Sequence, residues 1–446
     1  MTSSPPGPRK EATSEEGAQA GRHRRHGGRR GPRNRRAGRF TRHALGGPVH
    51  PARPWCRTAS SCVRHPLRPS RALFIWWTPP PQRRFVLATR GHPMRVTRRG
   101  ALAVGAGAVG LAGVSAIALH RDSFETTDAP AHLRGAAPMP FTQIHSLDLP
   151  TRGEGRAGVL RAAHRAIAAI DGGDISAWLA LGEGALSSRV DRPRHLRKMP
   201  LFAGDVLDPA LSHGDLLLHV TGSSTRTVRQ AADQMLRALP QRQVRWRVDG
   251  TRPESRVEEG RGLSRNPFHF TEGHGNPATA AEITERATVR TGQGEPSWAV
   301  GGSYQVIRII RLATDFWDRD TEEEQERITG RRRNGRWLDG TPSTERAVFA
   351  TDPHGKITPL DAHVRRAAPD PRTPPPMVRR SYNYHRAADD QGLIFSCFQS
   401  DLEKGFEAVL RRLQGEAMAK YTLTTGGGYF FVPPPGEAWL SALTES

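Results

Sequence analysis

Short apolar segments of strand length alternate with helical ones twice along the chain, and this repeat limits the fold more than any other feature. In the first run, Gly158 to Ile170 has helical apolar spacing and Ile175 to Gly182 reads as a strand. Gly214 to Gly222 is a second strand, Thr225 to Leu239 a helix, and Gln243 to Asp249 an alternating strand. The second run has a strand over Gly302 to Leu312, an acidic helix over Thr321 to Thr329 and a strand over Gly392 to Gln399. A helix over Asp401 to Leu413, with apolar Leu402, Phe406, Val409, Leu410 and Leu413, and a strand over Tyr429 to Val432 complete it. Each run predicts an α+β unit, a sheet with helices on one face, and together they predict a duplicated architecture. Residues 120–150 read as a polar linker. Residues 250–300, rich in Gly, Pro, Arg and Glu, read as a long functional loop.

The chain carries a formal charge of +22, which at face value suggests nucleic-acid binding. The charge is concentrated at one end. Residues 1–93 hold 20 Lys+Arg against 3 Asp+Glu, whereas residues 94–446 hold 46 against 41. The leader is Arg/Gly/Pro-rich, as in Arg22-His23-Arg24-Arg25-His26, and has no apolar period that could build a core. It reads as disordered or as an upstream extension of a chain that starts at Met94, and a nucleic-acid partner is not expected.

Met94-Arg95-Val96-Thr97-Arg98-Arg99 is followed by an uncharged Ala/Gly/Val stretch to Leu119 and an Ala116-Ile117-Ala118 site. Paired arginines before a weakly hydrophobic run are the pattern of a twin-arginine export signal. The run is 19 residues long, but its glycine and alanine content argues for cleavage or loose tethering over a stable membrane span. The expected location is therefore periplasmic or extracellular. Cys397 is the only cysteine of the body, so neither a disulfide framework nor a cysteine metal cluster is available. Its apolar neighbours suggest a buried, inert thiol.

Three separated segments carry the chemistry: Phe270-Thr271-Glu272-Gly273-His274-Gly275-Asn276-Pro277, Asp361-Ala362-His363-Val364-Arg365-Arg366 and Val378-Arg379-Arg380-Ser381-Tyr382. A carboxylate, a histidine and an arginine are the groups a haem protein needs to hold iron and split hydrogen peroxide. Further landmarks are Phe202-Ala203-Gly204-Asp205, His213-Gly214-Asp215-Leu216, Arg265-Asn266, Gly302-Ser303-Tyr304, Trp317-Asp318-Arg319 and Gly426-Gly427-Gly428-Tyr429-Phe430-Phe431. In this order they resemble the dye-decolourising peroxidases, including their deferrochelatase-like members, over nearly all of residues 138–435.

The resemblance implies two ferredoxin-like α+β domains with antiparallel sheets, residues 138–290 and 291–446, after the leader (1–93) and the export signal with its linker (94–137). Haem b would be held mainly by the C-terminal domain. It implies His363 as the proximal iron ligand, Arg379 as the distal arginine and Glu272 as the distal acid-base carboxylate. Arg365, Arg380 and Ser381 are the further haem-binding candidates, with Arg366 a candidate for a propionate or a surface pair. His269 and His274 flank the carboxylate and are candidates to assist proton transfer, or bystanders.

Two positions depart from the family pattern. His269-Phe270-Thr271-Glu272-Gly273 stands where Gly-x-x-Asp-Gly is usual, giving a carboxylate one methylene longer. Lys420, before Tyr421, stands where an acidic residue usually accepts the proximal histidine's proton, and Glu416, one helical turn back, is a candidate substitute. Trp298, Trp317, Trp337, Tyr382 and Tyr384 are available for electron transfer to bulky donors or as core. The implied function is an exported peroxidase that reduces hydrogen peroxide and oxidises phenols or dyes. The alternatives are deferrochelatase-like iron release from haem in iron acquisition and a low-turnover haem-binding protein. The implied partners are peroxide, organic donors and the twin-arginine export machinery, and a homo-oligomer is compatible with the pattern.

Overall fold

The computed structural model describes residues 129–444 apart from 151–153, 189 and 241. The leader and the twin-arginine segment lie outside the described residues. Among those described, no helix is long and apolar enough to cross a membrane.

The first half runs β1 (Phe141–Asp148), α1 (Glu154–Ala168), β2 (Ile175–Leu181), β3 (Leu216–Gly222), α2 (Thr225–Ala238) and β4 (Gln243–Thr251). Its antiparallel strands lie in the order β4-β1-β3-β2, the ferredoxin-like arrangement. β3 shows why the pattern folds this way. Leu216, Leu218 and Val220 pack into the helix-covered core, while Leu217 faces an inner core. The strand is covered on both faces, so it reads as a continuous apolar run.

Between the halves, β5 (Arg256–Glu258), β6 (Arg261–Arg265) and β7 (Thr271–Glu272) form a small antiparallel sheet, followed by α3 (Ala280–Ala287). Thr279 and Glu282 close a capping box on α3. This corrects the reading of residues 250–300 as a loop. The strands there are too short and too rich in charge to show a period.

The second half contains β8 (Ser303–Leu312), α4 (Thr314–Trp317), α5 (Glu322–Thr329), α6 (His363–Ala367), β9 (Val378–Arg379), β10 (Tyr382–Ala387) and β11 (Asp390–Gln399). A π turn (Glu403–Glu407), α7 (Ala408–Leu413), β12 (Thr422–Val432) and α8 (Ala438–Thr444) follow. The order β12-β8-β11-β10 repeats that of the first half. β12 bulges between Thr424 and Gly426. Gly427 is obligatory there, because at φ 116° a Cβ would stand 2.0 Å from the Ile307 carbonyl oxygen.

The two sheets meet edge to edge at both sides. Leu181 pairs with Phe431, and Thr251 with Asn383, so eight strands close a ring with no free edge between the halves. The ring encloses the inner core of Ile144, Trp178, Leu217, Ile307, Tyr382 and Phe398. A short 3₁₀ turn, Ala131–Leu133, packs against that core and places the His132 ring 5.0 Å from Phe398.

Candidate functional site

Glu272 is built by a hairpin. β6 and β7 pair through Ser264–Glu272 and Arg265–Thr271, and Asn266 organises the connection. Its Oδ1 accepts from the amides of Phe268 at 3.1 Å and Phe270 at 3.0 Å. Its Nδ2 donates to Glu272 Oε1 at 3.1 Å. His269, at the position of the expected glycine, takes a glycine-like φ of 70°, a conformation costly for a side chain with Cβ. Its Nε2 meets Asp318 Oδ1 at 3.0 Å on exposed surface. Gly273 has φ 103°, and a Cβ there would stand 2.2 Å from the Gly262 carbonyl oxygen.

Arg379 lies on β9, paired with Cys397 of β11. Asn276 clamps its backbone from both sides: Asn276 Nδ2 donates to the Arg379 carbonyl at 2.9 Å, and the Arg379 amide donates to Asn276 Oδ1 at 3.0 Å. The Arg379 guanidinium donates to the His274 carbonyl. Burial lowers its pKa from the ordinary arginine value, opposed by the charge of Glu272. The His274 imidazole is held down to about 3 by burial and by Arg331, Arg379, Arg261 and Arg256. It is neutral near pH 7, and its buried Nε2 has no hydrogen-bond partner among the described residues.

His363 opens α6. Its Nδ1 donates to Glu416 Oε2 at 2.7 Å, with Glu416 nearly buried and a third of the imidazole open. Burial pulls the His363 pKa down and the Glu416 carboxylate pushes it up, and the net shift is upward. The carboxylate fixes the tautomer, so Nδ1 keeps the proton and Nε2 keeps its lone pair. Lys420 is exposed and lies over the rings of Tyr421 and Phe316, 4.7 and 5.9 Å away. The carboxylate that meets the histidine is thus Glu416, four residues before Lys420. Arg379 and Glu272 both act on the charge of His363, and Glu272 on that of Arg379, so the fold brings the three segments into one electrostatic site.

The four other expected residues make contacts of their own. Arg365 is buried and donates to Thr358 O at 2.6 Å, Asp352 O at 2.7 Å and Asp352 Oδ2 at 3.2 Å. It lies over Phe349 and packs the Asp352 loop. Arg380 donates to the carbonyls of Leu133 and Gly135 at 2.9 and 2.7 Å. Ser381, also buried, offers its carbonyl to Arg252 at 2.6 Å. Arg366 donates to the Gln414 carbonyl.

Arg331 went unassigned because it heads an Arg331-Arg332-Arg333 run that reads as surface. It is buried, lies 3.6 Å over the Trp337 ring and donates to Gly335 O at 2.7 Å. Burial, then Arg379 and Arg261, lower its pKa to about 9. It has no carboxylate partner among the described residues.

Comparison with known proteins gives a consistent picture. Residues 157–252 match the family model described as Dyp-type peroxidase, N-terminal, and residues 263–437 its C-terminal counterpart. A Yersinia pestis protein named deferrochelatase is 37% identical over 274 residues, 58% of this chain and 63% of its own length. The chain therefore spans less than two thirds of that relative. A DyP-type peroxidase structure from Cellulomonas bogoriensis is 30% identical with a TM-score of 0.60, covering 69% of this chain and 94% of that one. Ferric DtpA from Streptomyces lividans is 28% identical with a TM-score of 0.61, covering 70% and 94%.

Proposed function

The chain belongs to the Dyp-type peroxidase family, and on that premise we propose that it is a haem b peroxidase that reduces hydrogen peroxide and oxidises organic donors such as phenols or dyes. The observation that carries the reading is the meeting of Glu272, His363 and Arg379, from three distant segments, within reach of one another's charge.

The residues present fit a haem. His363 is held by Glu416 in the tautomer that leaves Nε2 for iron. Arg331 is a buried cation without a carboxylate among the described residues, which a haem carboxylate would supply. When bound, haem supplies the redox iron at which peroxide is reduced.

The chain's own residues do the rest. Glu416 keeps the Nδ1 proton and with it the imidazole orientation. Arg379, fixed through Asn276 and His274, supplies a permanent positive charge for the anion that forms as peroxide loses its proton. Glu272 Oε1 is engaged by Asn266, so Oε2 is the oxygen free to take up that proton and return it to the leaving oxygen.

The test is peroxide-dependent dye oxidation by the haem-loaded chain. Arg379→Leu is expected to lower turnover by about 10²- to 10³-fold, and wild-type-like turnover in that variant refutes the assignment. A second reading, iron release from haem with the porphyrin intact, is supported by the relatives named deferrochelatase. It requires free iron and metal-free porphyrin to appear in equal amounts, and their absence removes it. We also propose export by the twin-arginine route through the segment from Met94. Export that survives replacement of Arg98 and Arg99 by lysine counts against it.

A further inference from the structure

Inside the ring of strands two cations are buried without a counter-ion. Arg252 is 6% exposed and Arg380 4%. Among the described residues, the side-chain hydrogen bonds of both run to backbone carbonyls, those of Ser381, Leu133 and Gly135. The Nε of each is buried with no hydrogen-bond partner. Glu272 is the carboxylate whose charge reaches Arg252, and none is felt at Arg380, which burial lowers to about 10. The Tyr382 ring, 5.9 Å from the Arg252 guanidinium carbon, offsets only part of a buried charge.

The neighbouring polar groups have the same polarity. Trp178 Nε1–H donates to Gln305 Oε1 at 3.1 Å, which fixes the Gln305 amide so that its Nε2 donates to His219 Nδ1, also at 3.1 Å. His219 is neutral, since burial, then His132, hold its pKa near 3. Its proton therefore lies on Nε2, and that N–H has no acceptor among the described residues. The Tyr382 hydroxyl, on a ring 6.4 Å from His219, is also buried, beside the Thr221 hydroxyl. One region thus holds two guanidinium N–H groups and an imidazole N–H, all lacking an acceptor among the described residues, with a phenol beside them. Buried charges are ordinarily paired, and buried donors ordinarily met.

We propose that the interior of the ring binds a small monovalent inorganic anion, of halide size, between Arg252 and Arg380, with His219 as a further donor. The inference is independent of the peroxidase reading.

Crystals of the haem-loaded full chain soaked in bromide are expected to show anomalous scattering within hydrogen-bond distance of Arg252 or Arg380 Nε. Bromide at the surface only, or water alone between the two side chains, overturns the proposal. In solution, the unfolding midpoint is expected to be higher in chloride than in gluconate at equal ionic strength. The rise should be about 3–4 °C once chloride exceeds its dissociation constant a hundredfold. Equal midpoints overturn the proposal. Arg380→Met should remove the chloride dependence, with Arg252→Met serving if that variant does not fold, and a dependence unchanged in the folded variant places the ion elsewhere and overturns it.

Discussion

Buried histidines make this fold acid-sensitive, and the size of the effect follows from two of them. Burial and then Arg380 hold His132 near 3, and burial and then His132 hold His219 near 3. An unfolded histidine titrates near ~6.5. Between these values the unfolded chain binds more protons than the folded one, so stability rises with pH and is lost as pH falls below about 6.5. At pH 5 each histidine costs on the order of 2 kcal/mol, together about 4 kcal/mol against a typical total of roughly 5–15 kcal/mol. Carboxylates held low, such as Asp249 beside Arg247 and Gln143, add to the loss only at more acidic pH. The assay is urea unfolding at pH 7, 6 and 5. The midpoint should fall steadily, and His132→Gln, lacking one titrating group, should show about half the pH dependence of this pair. A midpoint flat or rising from pH 7 to 5 refutes the reasoning, because a buried neutral imidazole cannot be indifferent to that change.

Glu416→Gln replaces the charged acceptor of His363 and should speed haem transfer to an apoprotein scavenger by about 10- to 100-fold, the usual cost of losing such support. Asn276→Ala deletes both hydrogen bonds to the Arg379 backbone. It should cost about 1–3 kcal/mol of stability in urea unfolding and lower kcat more than it raises KM, since Arg379 is displaced and not removed. Arg365→Met breaks the pair with Asp352 and should lower the urea unfolding midpoint. Haem affinity of the folded fraction, read by Soret titration, should not change, and a loss there would return Arg365 to the haem site.

The sequence carried the repeat well because both sheets are built from strands covered on two faces, such as β3 and β8, whose apolar runs are hard to misread. β1 was hidden for the opposite reason. Its buried positions include Thr142, Gln143, His145 and Ser146, and Gln143 is satisfied only by Asp249, 106 residues away. Residues read as a linker are therefore a central strand. The three residues proposed for the site were each nominated from a distinctive local motif. Of their supports, Glu416 was a candidate for His363 from its place one helical turn before Lys420, whereas Asn276, which acts on Arg379 across 103 positions, carried no local signal. Arg331 differs from exposed Arg332 and half-buried Arg333 in being buried under its own loop, a property no local pattern expresses.

The closure of the ring has a consequence for exchange. Each seam is recorded as one residue pair, Leu181 with Phe431 and Thr251 with Asn383, whereas the neighbouring strands β8 and β12 share a register from Thr422 to Val432. Each half can complete its own sheet from contacts within itself, and the seams are then the last pairings to form and the first to part. The enclosed space behaves as a clasp. Whatever lies inside is shut in when the halves come together, and its exit requires a seam and the core shared by the two halves to part.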